Sequence, residues 1–251
     1  MCPAPGGKLV GEERDVDKKR VSFFCLSLSL GTPLWKGQDF GEPWWIGIDA
    51  VYRDVLVLHR FTSPDLPEPR GITVADLESG RVLWENPDYV FVGVLQGNLV
   101  ARLSARGSQR FALVNRLSGY EEEKGEAVVG PPPAEREAWE EEWVFPVELP
   151  RGDPLQDVVS KAGAVDEVPL SSIAVGHLIV VGYHVRTADS RSEPFYRSRI
   201  ALVDSNTGRI NQEITLDEKV QRPMPDTFLV RGNVLYCIRE HRTLAAVPLS
   251  E

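Results

Sequence analysis

Short apolar runs alternate with polar turns along most of the chain. In Ile72–Trp84 an alternating run Ile-Thr-Val-Ala leads through Asp76-Leu-Glu-Ser-Gly80 into Val-Leu-Trp, which reads as a β-hairpin. Cognate segments run from Phe23 to Trp35, from Phe111 to Gly119 and from Ile200 to Gly208. Their glycines, Gly31, Gly80, Gly119 and Gly208, are 49, 39 and 89 residues apart, the last close to two periods of about 44. A second hairpin type interleaves with the first. It pairs Ile46–Val51 with Val55–Phe61, Val90–Val94 with Leu99–Leu103, Ile173–Val175 with Leu178–Val185, and Phe228–Val230 with Val234–Ile238. The turns between them fall at Arg53-Asp54, Gly97-Asn98, Gly176-His177 and Gly232-Asn233, residues that accept positive φ or initiate turns.

Each period therefore holds four short strands, here A to D in chain order. This predicts an all-β β-propeller of four-stranded antiparallel blades, about five of them, with four or six as alternatives. A two-sheet sandwich with coincidental hairpins is the competing architecture. The whole of 1–251 reads as one propeller domain. Val21–Leu28 and Pro33–Lys36 are expected to be a C–D pair, preceded by at most one irregular strand. Complete blades are expected at 44–86, 89–126 and 171–216. The C-terminal segments Thr227–Ile238 and Thr243–Leu249 supply A, B and C strands, and blade closure by strands from both termini follows. Residues 127–170 break the period with Pro131-Pro132-Pro133 and are expected to be a helical insertion, with a hidden degenerate blade as the alternative. Asp153 is its N-cap with Pro154 at the first helical position, and Trp139 and Trp143 share one helical face.

The core Asp76-Leu-Glu-Ser-Gly80-Arg-Val-Leu-Trp84 resembles the repeat of quinoprotein-like (PQQ-type) propellers. Asp76 and Asp204 match its Asp, Thr207 its Thr, and Trp35 and Trp84 its Trp. The resemblance implies that Asp and Thr organise the turn while Trp packs between blades. Ser27 and Asn115 replace the Asp, and Glu123 and Gln212 stand where Trp would. Phe24 to Trp84, with Trp44-Trp45, also resembles an uncharacterised bacterial domain family of similar length, a likeness that implies no activity.

Composition narrows the function classes. The net charge of −9 argues against nucleic acid and anionic membranes as partners. The acid is concentrated in Glu121–Glu142, with nine Glu against one Lys and one Arg. The 21 Arg and 7 Lys fit either genome composition or a high-salt habitat. No run approaches a membrane span and residues 1–20 lack an apolar signal region. Cys2, Cys25 and Cys237 have no metal spacing. Together these lead to the expectation of a cytoplasmic monomer.

No phosphate loop, dinucleotide fingerprint, nucleophile elbow or zinc motif occurs, so neither cofactor nor metal is expected and no catalytic residue is assigned. Trp44 and Trp45 are expected on opposite faces of a strand. Binding is expected where long connections meet on one face of the propeller: the B–C loops Thr62–Arg70 and Arg186–Arg197, with the D–A insertion. The candidate binding residues are Trp45, His59, Arg60, Asp65, His184, Arg186, Arg191 and Tyr196, with His59 and His184 at strand ends. The leading reading is a non-enzymatic binding or scaffold module for a protein or small-molecule partner. The alternatives are a small propeller hydrolase or lyase with its site at the channel mouth, and a quinone-dependent dehydrogenase, for which cofactor and calcium ligands are not found.

Overall fold

The computed structural model describes residues 1–63, 66–103, 110–122, 137–187, 195–221, 223 and 228–249. These form two compact units, Met1–Glu140 and Glu141–Glu251. Both are built from antiparallel sheets of the propeller-blade type, five in all. No helix among the described residues is long and apolar enough to cross a membrane.

In the first unit, blade 1 comprises β1 (Cys2–Ala4), β2 (Lys8–Asp15), β3 (Arg20–Ser27) and β4 (Thr32–Gln38). The N-terminal residues thus supply two regular strands and complete this blade, where sequence reading expected one irregular strand. Gly6 and Gly7, at φ +69° and +66°, turn the chain between β1 and β2, a signal too short to read as a repeat. Blade 2 comprises β5 (Ile46–Tyr52), β6 (Val55–Ser63), β7 (Leu66–Asp76) and β8 (Val82–Asn86). Blade 3 has β9 (Tyr89–Leu95), β10 (Asn98–Leu103) and β11 (Phe111–Val114). Of its expected fourth strand, the described residues contain the bridge Val114↔Glu121.

The repeat glycines do what their spacing predicts. Asp76 accepts from the Ser79 backbone N–H at 2.8 Å, and Gly80 closes the turn at φ +70°. Asn115 accepts from the N–H groups of Leu117 and Ser118 ahead of Gly119, at φ +75°. Blade faces then pack on one another. Val21, Phe23 and Cys25 alternate inward along β3 and meet Ile46, Leu56 and Leu58 of blade 2. On the other face of blade 2, Val55, Val57, Ile72 and Val74 meet Leu99, Ala101, Ala112 and Val114. Burying one such Phe or Leu side chain is worth about 1.5–3 kcal/mol.

Two indoles clasp successive blades. Trp35 donates its ring N–H to the Leu77 carbonyl at 2.9 Å, and its ring lies where a Cβ on Gly80 would come within 2.7 Å. Trp84 repeats this one blade on, with the Arg116 carbonyl at 2.9 Å and Gly119. The Trp and Gly of the repeat are thus two halves of one contact.

In the second unit, blade 4 orders β13 (Val147–Glu148), β14 (Ser171–Val175), β15 (Leu178–Thr187), β16 (Phe195–Asp204) and β17 (Ile210–Val220). Blade 5 orders β12 (Trp143–Val144), β18 (Phe228–Arg231), β19 (Val234–Arg239) and β20 (Thr243–Pro248). The segment 137–170 is therefore not simply helical, because it adds one short strand to each of these sheets. A 3-10 turn spans Ala138–Glu142 and helix α1 spans Pro154–Ser160, with Asp153 accepting from the Leu155 N–H at 2.9 Å as its N-cap. Trp143 is not on a helical face with Trp139. It begins β12, buried beside Tyr236. Val180, Ile200 and Leu202 of blade 4 pack on Phe228, Leu235 and Cys237 of blade 5, and the opposite face receives Val159 of α1.

Candidate functional site

Of the expected B–C loops, Thr62–Arg70 is largely strand, and the described ends of Arg186–Arg197 are strand as well. Pairing continues to Ser63↔Leu66 in β6–β7 and to Thr187↔Phe195 in β15–β16, so each forms a long hairpin. The alternating pattern weakens there into Pro, Glu and Arg, and the ladder continues through backbone bonds that composition does not report. Asp65 and Arg191, both expected binding residues, lie outside the described residues.

His59 and Arg60 stand side by side on β6 and, by the pleat, point to opposite faces. His59 lies well inside the strand rather than at its end. Its ring sits over Gly47, whose missing Cβ would lie 3.0 Å from the imidazole, so glycine is what admits the ring. Between Ile48 and Ala50 the register slips by one residue, and Asp49 is the extra residue of this bulge. The bulge brings the Asp49 carboxylate to 2.7 Å from His59 Nδ1. The carboxylate accepts from Nδ1 and orients the ring. His59 Nε2 and Asp49 Oδ2 are both buried without a hydrogen-bond partner. Phe61 meets the imidazole edge-on at 4.7 Å.

Arg60 faces a cleft of about 530 Å³ lined by Gln38, Asp39, Phe40, Gly41, Gly80, Arg81, Val82 and Glu85 as well. Its guanidinium donates to the Phe40 carbonyl at 3.2 Å and to Glu85 at 3.3 Å. Phe40 holds φ +51°, unusual for a bulky residue, and the turn is pinned by Asp39 accepting from the Gly41 N–H at 3.0 Å. Buried Phe40, packed on Trp35 and Phe23, anchors that wall in the core. Arg81 and Asp39 have no ion pair among the described residues, so the cleft presents an unpaired charge of each sign.

Trp44 and Trp45 precede β5 instead of lying on it, and neither enters the blade core. Trp45 is 38% exposed, and its carbonyl accepts from the Phe61 N–H at 3.0 Å, which places it beside the end of β6. Trp44 lies under two cations, Arg14 at 5.3 Å and Lys19 at 4.8 Å from its ring centroid. Blade 2 thus brings Trp45, His59 and Arg60 to one end of β5–β6. Sequence reading missed Asp49, Asp39 and Glu85. A bulge has no sequence signature here, and the acids look like any others in an acidic chain.

In the second unit, His184, Arg186 and Tyr196 also come together, since Arg186 pairs with Tyr196 across the hairpin and His184 lies two residues back. They do not form an open site. Tyr196 is buried with Val168 and Val220. His184 is buried, and desolvation holds its pKa below the ordinary imidazole value. Arg186 is exposed and lies 3.9 Å from Glu167. Burial pushes the thiols of Cys25 and Cys237 up to about 11 and leaves them inert. Among the described residues no cluster of three or more His, Cys, Asp or Glu is arranged to hold a metal.

Residues 5–84, which carry β2, β3 and β4 of blade 1 as well as Asp49, His59 and Arg60, match the family described as Domain of unknown function (DUF4905). No curated protein matches the sequence. Among solved structures the chain is similar to a europium-containing methanol dehydrogenase at 12% identity, covering 98% of this chain and 50% of that one, with a TM-score of 0.30. It is also similar to an acylaminoacyl peptidase of Pyrococcus horikoshii, at 14% identity, 93% and 34% coverage and a TM-score of 0.30. BamB from Moraxella catarrhalis follows at 9% identity, 95% and 73% coverage and a TM-score of 0.28. The chain spans about half the length of the dehydrogenase and about a third of that of the peptidase.

Proposed function

We propose that this chain is a non-enzymatic binding module whose ligand enters the cleft of the first unit at Arg60. The observation that carries the reading is the construction of that cleft. Arg60 is held by Phe40 and Glu85, while Arg81 and Asp39 have no ion pair among the described residues. A shaped recess with a few fixed polar groups on a rigid sheet is what recognition requires. Its charges suit a small zwitterionic or peptide ligand, and the net charge of −9 supports a partner other than nucleic acid. The reading carries with it a single-copy protein acting in the cytoplasm.

The Asp49–His59 pair favours the second reading, a hydrolase or lyase, because a carboxylate-oriented imidazole is the usual general base. Its Nε2, however, is buried against Gly47 and His59 does not line the cleft, so binding is the better supported function. The test is a calorimetric titration with free amino acids, dipeptides and small carboxylates against the wild type and Arg60→Ala. A ligand is expected whose affinity falls about tenfold or more in the variant, as for loss of a charged hydrogen bond. Bond cleavage of any of these compounds that vanishes in His59→Gln would instead establish the enzymatic reading.

A further inference from the structure

Three buried polar side chains lie in one row across blade 4. His184 of β15 pairs in register with Ser198 of β16, and Ser198 pairs with Asp217 of β17. The His184–Ser198 pair is regular, so those two share a face with Cβ atoms about 4.5–5.5 Å apart, while Asp217 meets Ser198 at a bulge, with register shifts on both sides of the pair. The three are 6%, 4% and 4% exposed. Both His184 ring nitrogens and Asp217 Oδ1 lack hydrogen-bond partners. A buried imidazole without partners is costly, and so is a buried carboxylate whose neighbour His241 stands at 3.5 Å; neutralisation is the usual remedy.

The row sits at the junction with blade 5. Its apolar continuation on the same face, Val180, Ile200 and Leu202, packs on Phe228 and Leu235. The β19–β20 turn closes over its outer end. Arg239 donates to the Thr215 carbonyl at 3.2 Å, the Glu240 N–H donates to the Leu216 carbonyl at 2.8 Å, and Glu240 Oε1 accepts from the Glu218 N–H at 3.3 Å. His241 Nε2 stands 3.5 Å from Asp217 Oδ1. Glu240 and His241 hold positive φ, +49° and +54°, so this turn is fixed in a conformation that L-residues seldom adopt. The D strand β17 carries Gln212 where blades 1 and 2 carry their clasping tryptophans.

We propose that His184, Ser198 and Asp217 form an internal proton-binding site that fastens blade 5 to blade 4. One proton taken up by Asp217 makes every member of the row neutral. The Asp217 O–H then donates to Ser198 Oγ, and the Ser198 O–H donates to a His184 nitrogen. Loss of that proton leaves a buried carboxylate repelled by Glu240, with His241 Nε2 3.5 Å away, Glu218 paired with Arg197 and Arg239 bonded to the Thr215 carbonyl. Arg186, two residues beyond His184, is exposed and near Glu167 instead. Burial, the largest influence on Asp217, raises its carboxyl above the ordinary value, ahead of attraction to His241 and repulsion from Glu240. Because the folded value is raised, the stabilisation is present at low pH and is lost as pH rises through the folded value.

Hydrogen exchange of the native full-length protein, corrected for the intrinsic pH dependence of exchange, tests this. In the wild type, opening of β16, β17 and the β19–β20 turn should increase with pH by up to about tenfold per unit, between the ordinary carboxyl range and the raised midpoint. Asp217→Asn, which keeps a donor without the charge, should abolish this dependence and keep the low-pH protection. Ser198→Ala should lower protection at low pH. Carboxyl ¹³C titration of the wild type provides a readout independent of any variant. An ordinary Asp217 midpoint overturns the proposal, and so does a pH dependence that survives in Asp217→Asn.

Discussion

Trp84 donates its indole N–H across a blade boundary to the carbonyl of Arg116, 2.9 Å away, while its ring covers Gly119. The same pair of contacts joins Trp35 to Leu77 and Gly80, so it recurs at two successive blade boundaries. Gly208 has nothing within 4 Å of where its Cβ would be, and no indole lies on its turn. Trp84→Ala should cost about 3–5 kcal/mol, as for other large aromatics in packed interfaces. Trp84→Phe, which keeps the ring but not the donor, should cost about 1 kcal/mol. Denaturant unfolding of the two variants measures both, and an unchanged midpoint in Trp84→Ala would remove the residue from its packing role.

Gly119→Ala is expected to destabilise by more than 1 kcal/mol, roughly, because φ +75° and the Trp84 ring both reject a Cβ. Gly208→Ala, with the same sign of φ and open space, should cost less. A comparison of their unfolding midpoints separates backbone strain from the clasp.

His184 titrates against the fold. Its folded value is lowered by burial, so its contribution is present above the unfolded value, about 6.5, and is lost as pH falls through the folded one. The wild-type unfolding midpoint should therefore fall, as pH drops below about 6.5, more steeply than that of His184→Gln. Parallel curves would show that His184 does not carry a lowered value.

At Asp49 the effect is local. Asp49→Ala leaves His59 with two unpaired buried nitrogens and should cost about 1–3 kcal/mol. Nitrogen-15 spectra of the wild type should show the neutral His59 tautomer with its proton on Nδ1. The opposite tautomer would mean that Asp49 does not orient the ring.

The blades were legible because their determinants are local. A glycine at positive φ, an Asp or Asn that caps its own turn and period-two burial in β3 are all written within a dozen residues. The clasp was half legible, since Trp84 and Gly119 are each visible but their meeting depends on blade-to-blade packing. Asp49 was illegible, because it reaches His59 only through a bulge in β5. The length of the β6–β7 and β15–β16 hairpins was misread because backbone pairing continues where apolar alternation stops. The sheet-forming role of Trp143 and Val147 was hidden by strands of two residues each, too short to show any period.

The most direct test of the binding function is to map where a ligand acts. Amide and arginine side-chain spectra should be recorded while the protein is titrated with the tightest-binding amino acid or dipeptide. The account predicts that perturbations concentrate in residues 38–41, at Arg60 and in residues 80–85. Saturable binding with shifts confined elsewhere, above all to His184 and its neighbours in the second unit, would contradict it.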